Sequence, residues 1–554
     1  MRGSFIVGSV LAAWLVAGCG GGARAGGGTL PRASQPLVHA EPFPTSAVIT
    51  ALPPPGPVQV DEGVAVGDWE IEAASLAPVP GPIEPLYAEL AAQRATAQRS
   101  TALECVAREL ARFVGTLHGL PSEPVRRFLL ARCGAGVVSA GVGVLPLEGR
   151  GSDEDLLRHL HDEVLTQAVG VVVPEANRVG LATYRVGDAL FVGVVSALAQ
   201  TDVAPAVPVA DGGRARFALT IQRAPNEILV MTTSGPRGFA SCTVGGSPPQ
   251  LDVDCPFTAG DAYAYVEVLG RDGEAVLCMP LAMMIAVPSG EAGRRYTLRR
   301  PSEPAPFAGA DLGTAVLPLL NGERTQAGLP PLALSAEQSA ANASVAPYAF
   351  APDRHAMEQA LLYSMAGWQI GPSPGLREGR TIQVDAGRAT DAGAWLFQAL
   401  ETPLERWVLL DPEARVLAIG AQSSDGHTFG LASTYRFFDR DADGDRAAAE
   451  AALTEARRAA GRPDPAFVRL PGADRAAEQI VRGADPTAAV DGALAEAVQS
   501  YASARGAAYV GSVIEGTRWS PEILAAPHVA LAVRHVQPEG MAWGVYVIVV
   551  VALP

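Results

Sequence analysis

The sequence contains no lysine, and all 42 of its basic residues are arginine. P-loop nucleotide sites and Schiff-base enzymes each need a lysine amine, so both classes are excluded whatever the fold. Blocks of basic residues are also missing, and 58 acidic residues give a formal net charge of −16 at pH 7. Nucleic-acid binding requires a positive surface for the phosphates, so we expect no nucleic-acid partner.

Long hydrophobic runs are scarce, and the one at the amino terminus is short. Arg2 is followed by an apolar stretch from Phe5 to Val16, and then by Ala17-Gly18-Cys19. About a dozen apolar residues cannot cross a ~30 Å hydrocarbon core, so residues 1–19 are predicted to be a signal peptide. The segment around Cys19 resembles a bacterial lipobox, which implies cleavage before Cys19 and lipid on that cysteine. The alternative is an ordinary signal peptide whose cysteine is incidental.

The resemblance also bears on where the protein resides. Gly20 follows Cys19, whereas lipoproteins retained at the inner membrane usually carry aspartate at that place. We therefore expect an outer-membrane lipoprotein of the bacterial cell envelope, which binds the membrane through its lipid anchor.

Cysteine is limited to six residues in 554. There is no C-x-x-C pair and no histidine at ligand spacing from a cysteine, which disfavours zinc. Export permits disulfides, and Cys105 is expected to pair with Cys133. Cys242, Cys255 and Cys278 share a strand-rich region in which two of three can pair, leaving one thiol over. Cys242 with Cys255 is the candidate pair, but the choice among the three stays open.

Length and composition predict an α+β multidomain chain. A single core stops growing well below 554 residues, and 48% hydrophobic residues with a mean hydropathy of +0.18 favour folded domains. Shifts between helical and alternating periodicity predict the domain boundaries. They divide the chain into a signal peptide at 1–19, a flexible Gly/Pro-rich stalk at 20–82, an α/β unit at 83–200, a β-sandwich at 201–300, a second α/β unit at 308–438, an acidic loop at 439–450 and a third α/β unit at 446–554.

The second α/β unit carries a family resemblance. Its first helix, LLNGERTQAGLPPLALS, is similar to the N-x-x-R-x-x-x-G-L-x-x-L signature of the CAP superfamily, also called SCP-like. The matching residues are Asn321, Arg324, Gly328, Leu329 and Leu332. The segment WLFQALETPLERWVLLDPEARVLAIGA is similar to the tryptophan helix, loop and strand of that family. The resemblance implies an α-β-α sandwich.

A repeat extends this interpretation to the rest of the chain. LTEARRAAGRPDP aligns with LNGERTQAGLPPL on leucine, arginine and glycine, and all three α/β units end in a strand hairpin. We therefore expect three divergent CAP-like α-β-α sandwich units and one β-sandwich. The alternative is a chance recurrence of helices followed by hairpins in an alanine-rich sequence.

The residues that the resemblance implies for a site are largely absent. Members of the family line a cavity with two histidines and two glutamates, but Glu405-Arg406 stands where relatives carry His-Arg, and Ser344-Val345-Ala346 where another histidine is expected. A non-enzymatic binding or structural role follows, with a small apolar ligand or an envelope protein as partner in an open apolar groove. The alternative is an envelope hydrolase or peptidase with a non-local active site, which a closed cleft of titratable groups would favour.

One local motif indicates a metal. The segment from Asp439 to Glu450 fits the calcium-loop pattern D-x-D-x-D-G-x5-E, with Gly444 at the turn. Carboxylates at this spacing can surround a calcium ion, and the alternative is an acidic linker between two domains. The candidate calcium ligands are Asp439, Asp441, Asp443, Asp445 and Glu450.

Overall fold

The computed structural model describes residues 6–8, 17–18, 43–56, 63–76, 83–93, 97–149, 151–222, 225, 227–271, 277–288, 293–299, 305–307, 311–370, 375–385, 391–424, 426–511, 514, 517, 519–537 and 541–554. None of the helices in these ranges is both long and apolar enough to cross a membrane.

Short elements precede the first α/β unit. They are β1 (Ile6–Gly8), β2 (Ala17–Gly18), α1 (Ser46–Thr50), β3 (Asp68–Glu70) and a 3-10 turn at Ala73–Leu76. The first two lie in the predicted signal peptide, and Cys19 lies outside the described residues. Trp69 and Ile71 are buried although they fall in the predicted stalk. The stalk prediction is therefore wrong for this segment, because β3 pairs with a strand more than 200 residues downstream that local composition cannot reveal.

The first α/β unit places helices on both faces of a sheet. Helix α3 begins after Ser100, whose Oγ accepts a hydrogen bond from the Leu103 amide, and its helically spaced Val106, Leu110 and Phe113 are buried. The unit's elements are α2 (Glu84–Gln93), β4 (Gln98–Arg99), α3 (Thr101–Leu117), α4 (Glu123–Arg132), β5 (Gly141–Glu148), α5 (Asp153–His159), α6 (His161–Val171), β6 (Arg178–Val186) and β7 (Ala189–Ala197).

The next segment is a β-sandwich, as its alternating pattern predicts. Its two sheets run β13-β14-β10-β8 and β12-β11-β15-β16, and their facing residues Phe217, Val253, Val266 and Met284 share one apolar core. Its strands are β8 (Thr201–Ala204), β9 (Ala210–Asp211), β10 (Arg214–Ile221), β11 (Glu227–Ser234), β12 (Gly238–Ser241), β13 (Thr243–Ser247), β14 (Gln250–Pro256), β15 (Ala264–Arg271) and β16 (Leu277–Ala286), after which β17 (Arg295–Thr297) pairs with β3.

Two further α/β units complete the chain. The second comprises α7 (Leu312–Gln326), β18 (Ala333–Leu334), α8 (Ala336–Ala349), α9 (Arg354–Ala366), β19 (Leu376–Asp385), α10 (Ala392–Ala399), α11 (Pro403–Leu409), β20 (Val416–Ser424) and β21 (His427–Phe437). The third comprises α12 (Ala442–Ala459), β22 (Ala466–Val468), α13 (Pro471–Val481), α14 (Pro486–Ala497), β23 (Arg505–Gly511), α15 (Pro521–Ala525), β24 (His528–Val536) and β25 (Val545–Leu553).

The sheets of the three α/β units have one strand order. In each sheet a short strand runs parallel to the first strand of the closing hairpin. The second strand of that hairpin pairs antiparallel with the remaining strand, which follows two helices in the chain. The orders are β4-β6-β7-β5, β18-β20-β21-β19 and β22-β24-β25-β23. Apolar clusters lie on both faces of each sheet, so each unit has three layers.

Two disulfides join residues that are close in sequence. Cys105 bonds to Cys133 with their Cα atoms 5.8 Å apart, and Cys242 bonds to Cys255 with a Cα separation of 4.3 Å. Cys278 is disulfide-bonded as well. The unpaired thiol expected in the strand-rich region is therefore absent from the described residues.

A buried arginine fixes the end of the first helix in the second and third units. Arg324 is fully buried, and its guanidinium donates to the carbonyls of Pro330, Leu409 and Asp411 at 2.8–3.0 Å. In the third unit Arg457 donates to Pro463 at 2.8 Å and to two carbonyls near α15. In both units the arginine thus satisfies carbonyls that would otherwise be buried without a partner.

We expect Arg324→Lys to lower the free energy of unfolding by about 2–3 kcal/mol, because one ammonium group cannot reach three diverging carbonyls and leaves buried acceptors unpaired. Urea unfolding of the full-length protein measures the loss. Arg354→Lys is the control, since that side chain is 65% exposed on a helix of the same unit. Equal stability of the two variants would contradict the prediction.

Candidate functional site

A cavity of about 240 Å³ lies where the β-sandwich meets the second α/β unit. Its walls combine aromatic rings with charged side chains, as small-molecule sites usually do. We call it the junction cavity. It is lined by Thr233, Gly235, Pro236, Asp261, Ala262, Tyr263, Tyr265, Tyr296, Thr297, Leu298, Arg299, Phe397, Gln398, Leu400, Glu401 and Arg406.

The start of α11 anchors one side of the junction. Thr402 caps the helix by accepting from the Glu405 amide, and the Glu405 carboxylate accepts from the Thr402 amide in return. Glu267, which is fully buried on β15 of the sandwich, accepts a hydrogen bond of 3.1 Å from the Leu404 amide. A sandwich carboxylate thus satisfies an otherwise unpaired amide at the helix start.

The first α/β unit reaches the same junction through Arg127 of α4. Its Nη1 atom lies 3.8 Å from a carboxylate oxygen of Glu401 and 3.8 Å from one of Glu405. These separations are ion-pair contacts but too long for hydrogen bonds. One buried cation therefore lies against two carboxylates of another unit, so three parts of the chain meet here.

The junction carboxyl groups hold protons unusually strongly. Burial, with the nearby charge of Glu405 in second place, raises the pKa of Glu267 to about 8. Burial also raises the pKa of Glu401 to about 8 against the opposing charge of Arg127, and it raises the pKa of Glu405 against the same opposition. Glu267 and Glu401 are consequently mostly protonated at neutral pH, and a protonated carboxyl can donate a hydrogen bond.

Aromatic residues of the sandwich form another wall. Tyr263 and Tyr265 meet edge to face with centroids 5.5 Å apart, and Phe128 of the first unit packs on Tyr263 and Tyr296. Burial raises the pKa of all three tyrosines, so each keeps its hydroxyl proton. Within the part of the chain that the structure describes, Tyr265 Oη and Glu401 Oε2 are buried without a hydrogen-bond partner.

Arg406 contributes a cation to the cavity. Its guanidinium donates to the carbonyls of Leu400, Gly235 and Gly238 at 2.7–2.9 Å, which ties α11 to the sandwich turn between β11 and β12. Burial, followed by the charge of Arg299, lowers the pKa of Arg406 to about 10. It therefore remains charged at neutral pH.

The structure places Glu405 and Arg406 differently from what the sequence led us to expect. Glu405-Arg406, which the sequence comparison treated as the loss of a histidine site, lies among the buried charged residues beside the cavity. The walls of this cavity are charged and aromatic, and the open apolar groove expected from the sequence stays a prediction. Glu267 and Tyr265 were missed because nothing in an alternating β-strand marks a residue that another unit will cover; the charged residue in AYAYVEVLG was the only signal.

The acidic segment takes a different form from a calcium loop. Asp441 caps α12 by accepting from the Gly444 amide, so the helix starts at Ala442 and not after the loop. Asp443 binds Arg446, and Asp445 is buried with an oxygen 2.8 Å from His535 Nδ1. Across the described ranges, no group of three or more His, Cys, Asp or Glu is arranged to hold a metal. Calcium binding by the five carboxylates, Asp439 and Glu450 included, stays a prediction.

Comparison with known proteins adds little to this geometry. No family model matches the chain, and no curated protein matches it. A crystal structure of a cysteine-rich secretory protein from Staphylococcus aureus subsp. aureus Mu50, a CAP-family member, covers 50% of this chain and 89% of that one. The two are 10% identical and superpose with a TM-score of 0.19, a likeness too weak to carry an argument about fold or activity.

Proposed function

We propose that this chain is a lipid-anchored binding protein of the bacterial cell envelope, and that it holds a small ligand in the junction cavity. The observation that carries the ligand site is the cavity of about 240 Å³ itself, whose lining combines aromatic rings with the arginines Arg299 and Arg406.

The anchor and the location rest on the first residues of the sequence. The apolar stretch that ends at Cys19 supports a lipoprotein signal, and Gly20 supports the outer membrane. Mass spectrometry of the mature amino terminus tests this part. We expect the mature protein to begin at a lipid-modified Cys19. A mature protein that begins after Cys19 and carries no lipid would overturn this part of the proposal.

The scaffold is proposed to be three divergent CAP-like units around one sandwich. The common strand order of the three sheets and the matched roles of Arg324 and Arg457 support this assignment. In this arrangement the third unit lies outside the junction, whereas the first two units and the sandwich each supply residues to it. The proposed ligand cavity itself is lined by the sandwich, the segment around β17 and the second unit.

A substitution that fills the cavity tests the binding role. We expect Ala262→Trp, at an exposed lining position, to abolish binding of small aromatic probes and to leave thermal unfolding unchanged, because the indole occupies the ligand's place without entering the core. Ligand-observed NMR with benzoate, benzylammonium and benzyl alcohol measures binding to the full-length protein in detergent. Ala447→Trp, on an exposed face of α12, is the control. If no probe binds the unaltered protein, or if the cavity variant binds as well as the control, the proposal fails.

A second candidate function is hydrolysis. Glu401 and Glu405 lie within 3.8 Å of the same Arg127 nitrogen and both have raised pKa values, a property common among catalytic acids and bases. Glu405, however, does not line the cavity. Turnover of p-nitrophenyl esters or glycosides that disappears in Glu401→Gln would favour this role, and binding without turnover would favour the first.

A further inference from the structure

The Arg406 guanidinium has carbonyl oxygens as its hydrogen-bond partners, while the charges of Asp261, Glu401 and Glu405 act on it from farther away. The side chain is only 7% exposed, it lines the junction cavity, and its three hydrogen bonds all end on neutral carbonyl oxygens. No carboxylate of the described residues lies within the 4.0 Å of an ion pair with it. Unlike Arg324 and Arg457, which are also bonded to carbonyls, Arg406 lines a cavity, where an anion can supply the close opposite charge that buried cations favour.

A second arginine faces the same space. Arg299 lines the cavity with its guanidinium 4.6 Å above the ring of Phe397, and it donates to the Pro236 carbonyl at 2.9 Å. Its nearest carboxylate oxygen belongs to Glu323, at 3.6 Å. Glu323 also forms an ion pair with Arg237. The Glu323 carboxylate therefore neutralises Arg299 only in part, and Arg299 can still attract an anionic ligand.

The remaining polar groups at the cavity can donate to an anion or are already occupied. The Asp261 carboxylate accepts a hydrogen bond of 3.0 Å from the Gly235 amide, so one of its oxygens is already occupied. Glu401 is mostly protonated at neutral pH, with Arg127, Glu405, Glu123 and Arg406 as the charges around it. With Glu401 neutral, two arginines outnumber the single carboxylate Asp261 among the lining residues, which favours an anion.

We propose that the junction cavity binds a small organic anion, whose carboxylate or phosphate group is held by Arg406 and Arg299 and whose apolar part packs on Tyr263, Tyr296 and Phe397. The inference rests on the proposed binding function and names the chemistry of its ligand. Arginine forks match the two oxygens of such groups, and hydrogen bonds between charged groups are the stronger kind.

Four probes that share a benzene ring separate the possibilities. Titrated into the full-length protein at pH 7, benzoate or phenyl phosphate is expected to bind at least about 10-fold more tightly than benzylammonium and benzyl alcohol. The stronger of the two anions identifies the group as carboxylate or phosphate. Equal or tighter binding of the neutral or cationic probe would overturn the anion assignment while leaving the binding function intact. Binding of none of the four would overturn both.

Substitutions at the arginines then test the assignment at single residues. We expect Arg299→Gln to weaken binding of the preferred anion about 10-fold, and Arg415→Gln, a partly exposed arginine of the second unit that does not line the cavity, to leave it unchanged. Arg406→Lys keeps the charge and is expected to bind the anion more weakly than the unaltered protein. Unchanged affinity in both Arg299→Gln and Arg406→Lys would refute the role of the arginines.

The pH dependence of the affinity for the anion distinguishes a direct role of Glu401 in binding from a purely structural role. Affinity for the anion is expected to fall as pH rises through about 8, because ionised Glu401 repels the ligand and can no longer donate to it. In Glu401→Gln the affinity should stay level across the same range. A parallel fall in that variant would assign the pH effect to another group.

Discussion

Replacing Arg127 by leucine is expected to lower the free energy of unfolding by about 3–5 kcal/mol, which is the usual cost of removing one partner from a buried ion pair. Burial by itself lowers the pKa of Arg127, but the charges of Glu405, Glu123 and Glu401 together raise it above its ordinary value. Without the guanidinium, the buried Glu405 carboxylate loses its nearby cation, and so does Glu401, which is mostly protonated at neutral pH. The first and second α/β units then lose the electrostatic contact that joins them.

Chemical denaturation of Arg127→Leu at pH 7 measures this loss. Arg158→Leu is the matched control, since its guanidinium is 66% exposed and pairs with Glu154 and Asp155 on the surface, where ion pairs contribute little. Adding Glu405→Gln to Arg127→Leu should restore part of the stability, because it removes a buried charge that has no partner. A loss below about 1 kcal/mol for Arg127→Leu would show that the junction does not depend on this cation.

Raising the pH from 5 to 9 is expected to destabilise the protein by several kcal/mol. Glu267 and Glu401 have folded pKa values of about 8, above their ordinary value of 4.5, so the folded protein keeps protons that the unfolded chain releases. Stability from these groups is complete below about pH 4.5 and is lost as the pH rises through 8. A rise in pKa from 4.5 to about 8 corresponds to an upper bound of ~5 kcal/mol for each group.

Glutamine variants assign the effect to these two groups. In Glu267→Gln and Glu401→Gln, thermal unfolding between pH 5 and 9 should become flatter, since an amide keeps the shape but cannot ionise. Glu154→Gln, on the exposed surface, is the control. Asp411 and Glu413 have lowered pKa values because neighbouring arginines outweigh their burial, so their contribution is lost only in acid and does not mask this change. A steep decline that persists in both variants would refute the assignment.

Local sequence was sufficient for features that depend on neighbours along the chain. The hairpin predicted at the end of the first α/β unit is formed by β6 and β7 and turns at Gly187, and the helically spaced Val106, Leu110 and Phe113 form the buried face of α3. Both are decided by side-chain periodicity and by a glycine with positive φ in the turn. The β-sandwich followed in the same way from short alternating strands.

Sequence patterns failed where the deciding neighbour is far away. The segment around Trp69 has the composition of a linker, yet Asp68 meets Arg295 from a strand 227 residues later. At the acidic segment, carboxylate spacing predicts a calcium loop, which stays a prediction, but the spacing did not reveal that Asp441 caps α12 or that Asp445 contacts His535. Spacing along the chain does not show which groups a carboxylate will contact after folding.

The amino-acid sequence by itself determined the elements of this protein, the absence of lysine chemistry, the predicted lipid anchor and the succession of α/β units and sandwich, because periodicity, turns and composition are local properties. Only the tertiary structure decided the junction cavity. Glu267 meets the start of α11 across 137 residues, and Arg127 approaches Glu401 from another unit. The raised pKa values of these carboxyl groups and the lowered pKa of Arg406 arise mainly from desolvation, which exists only once the units have packed against one another.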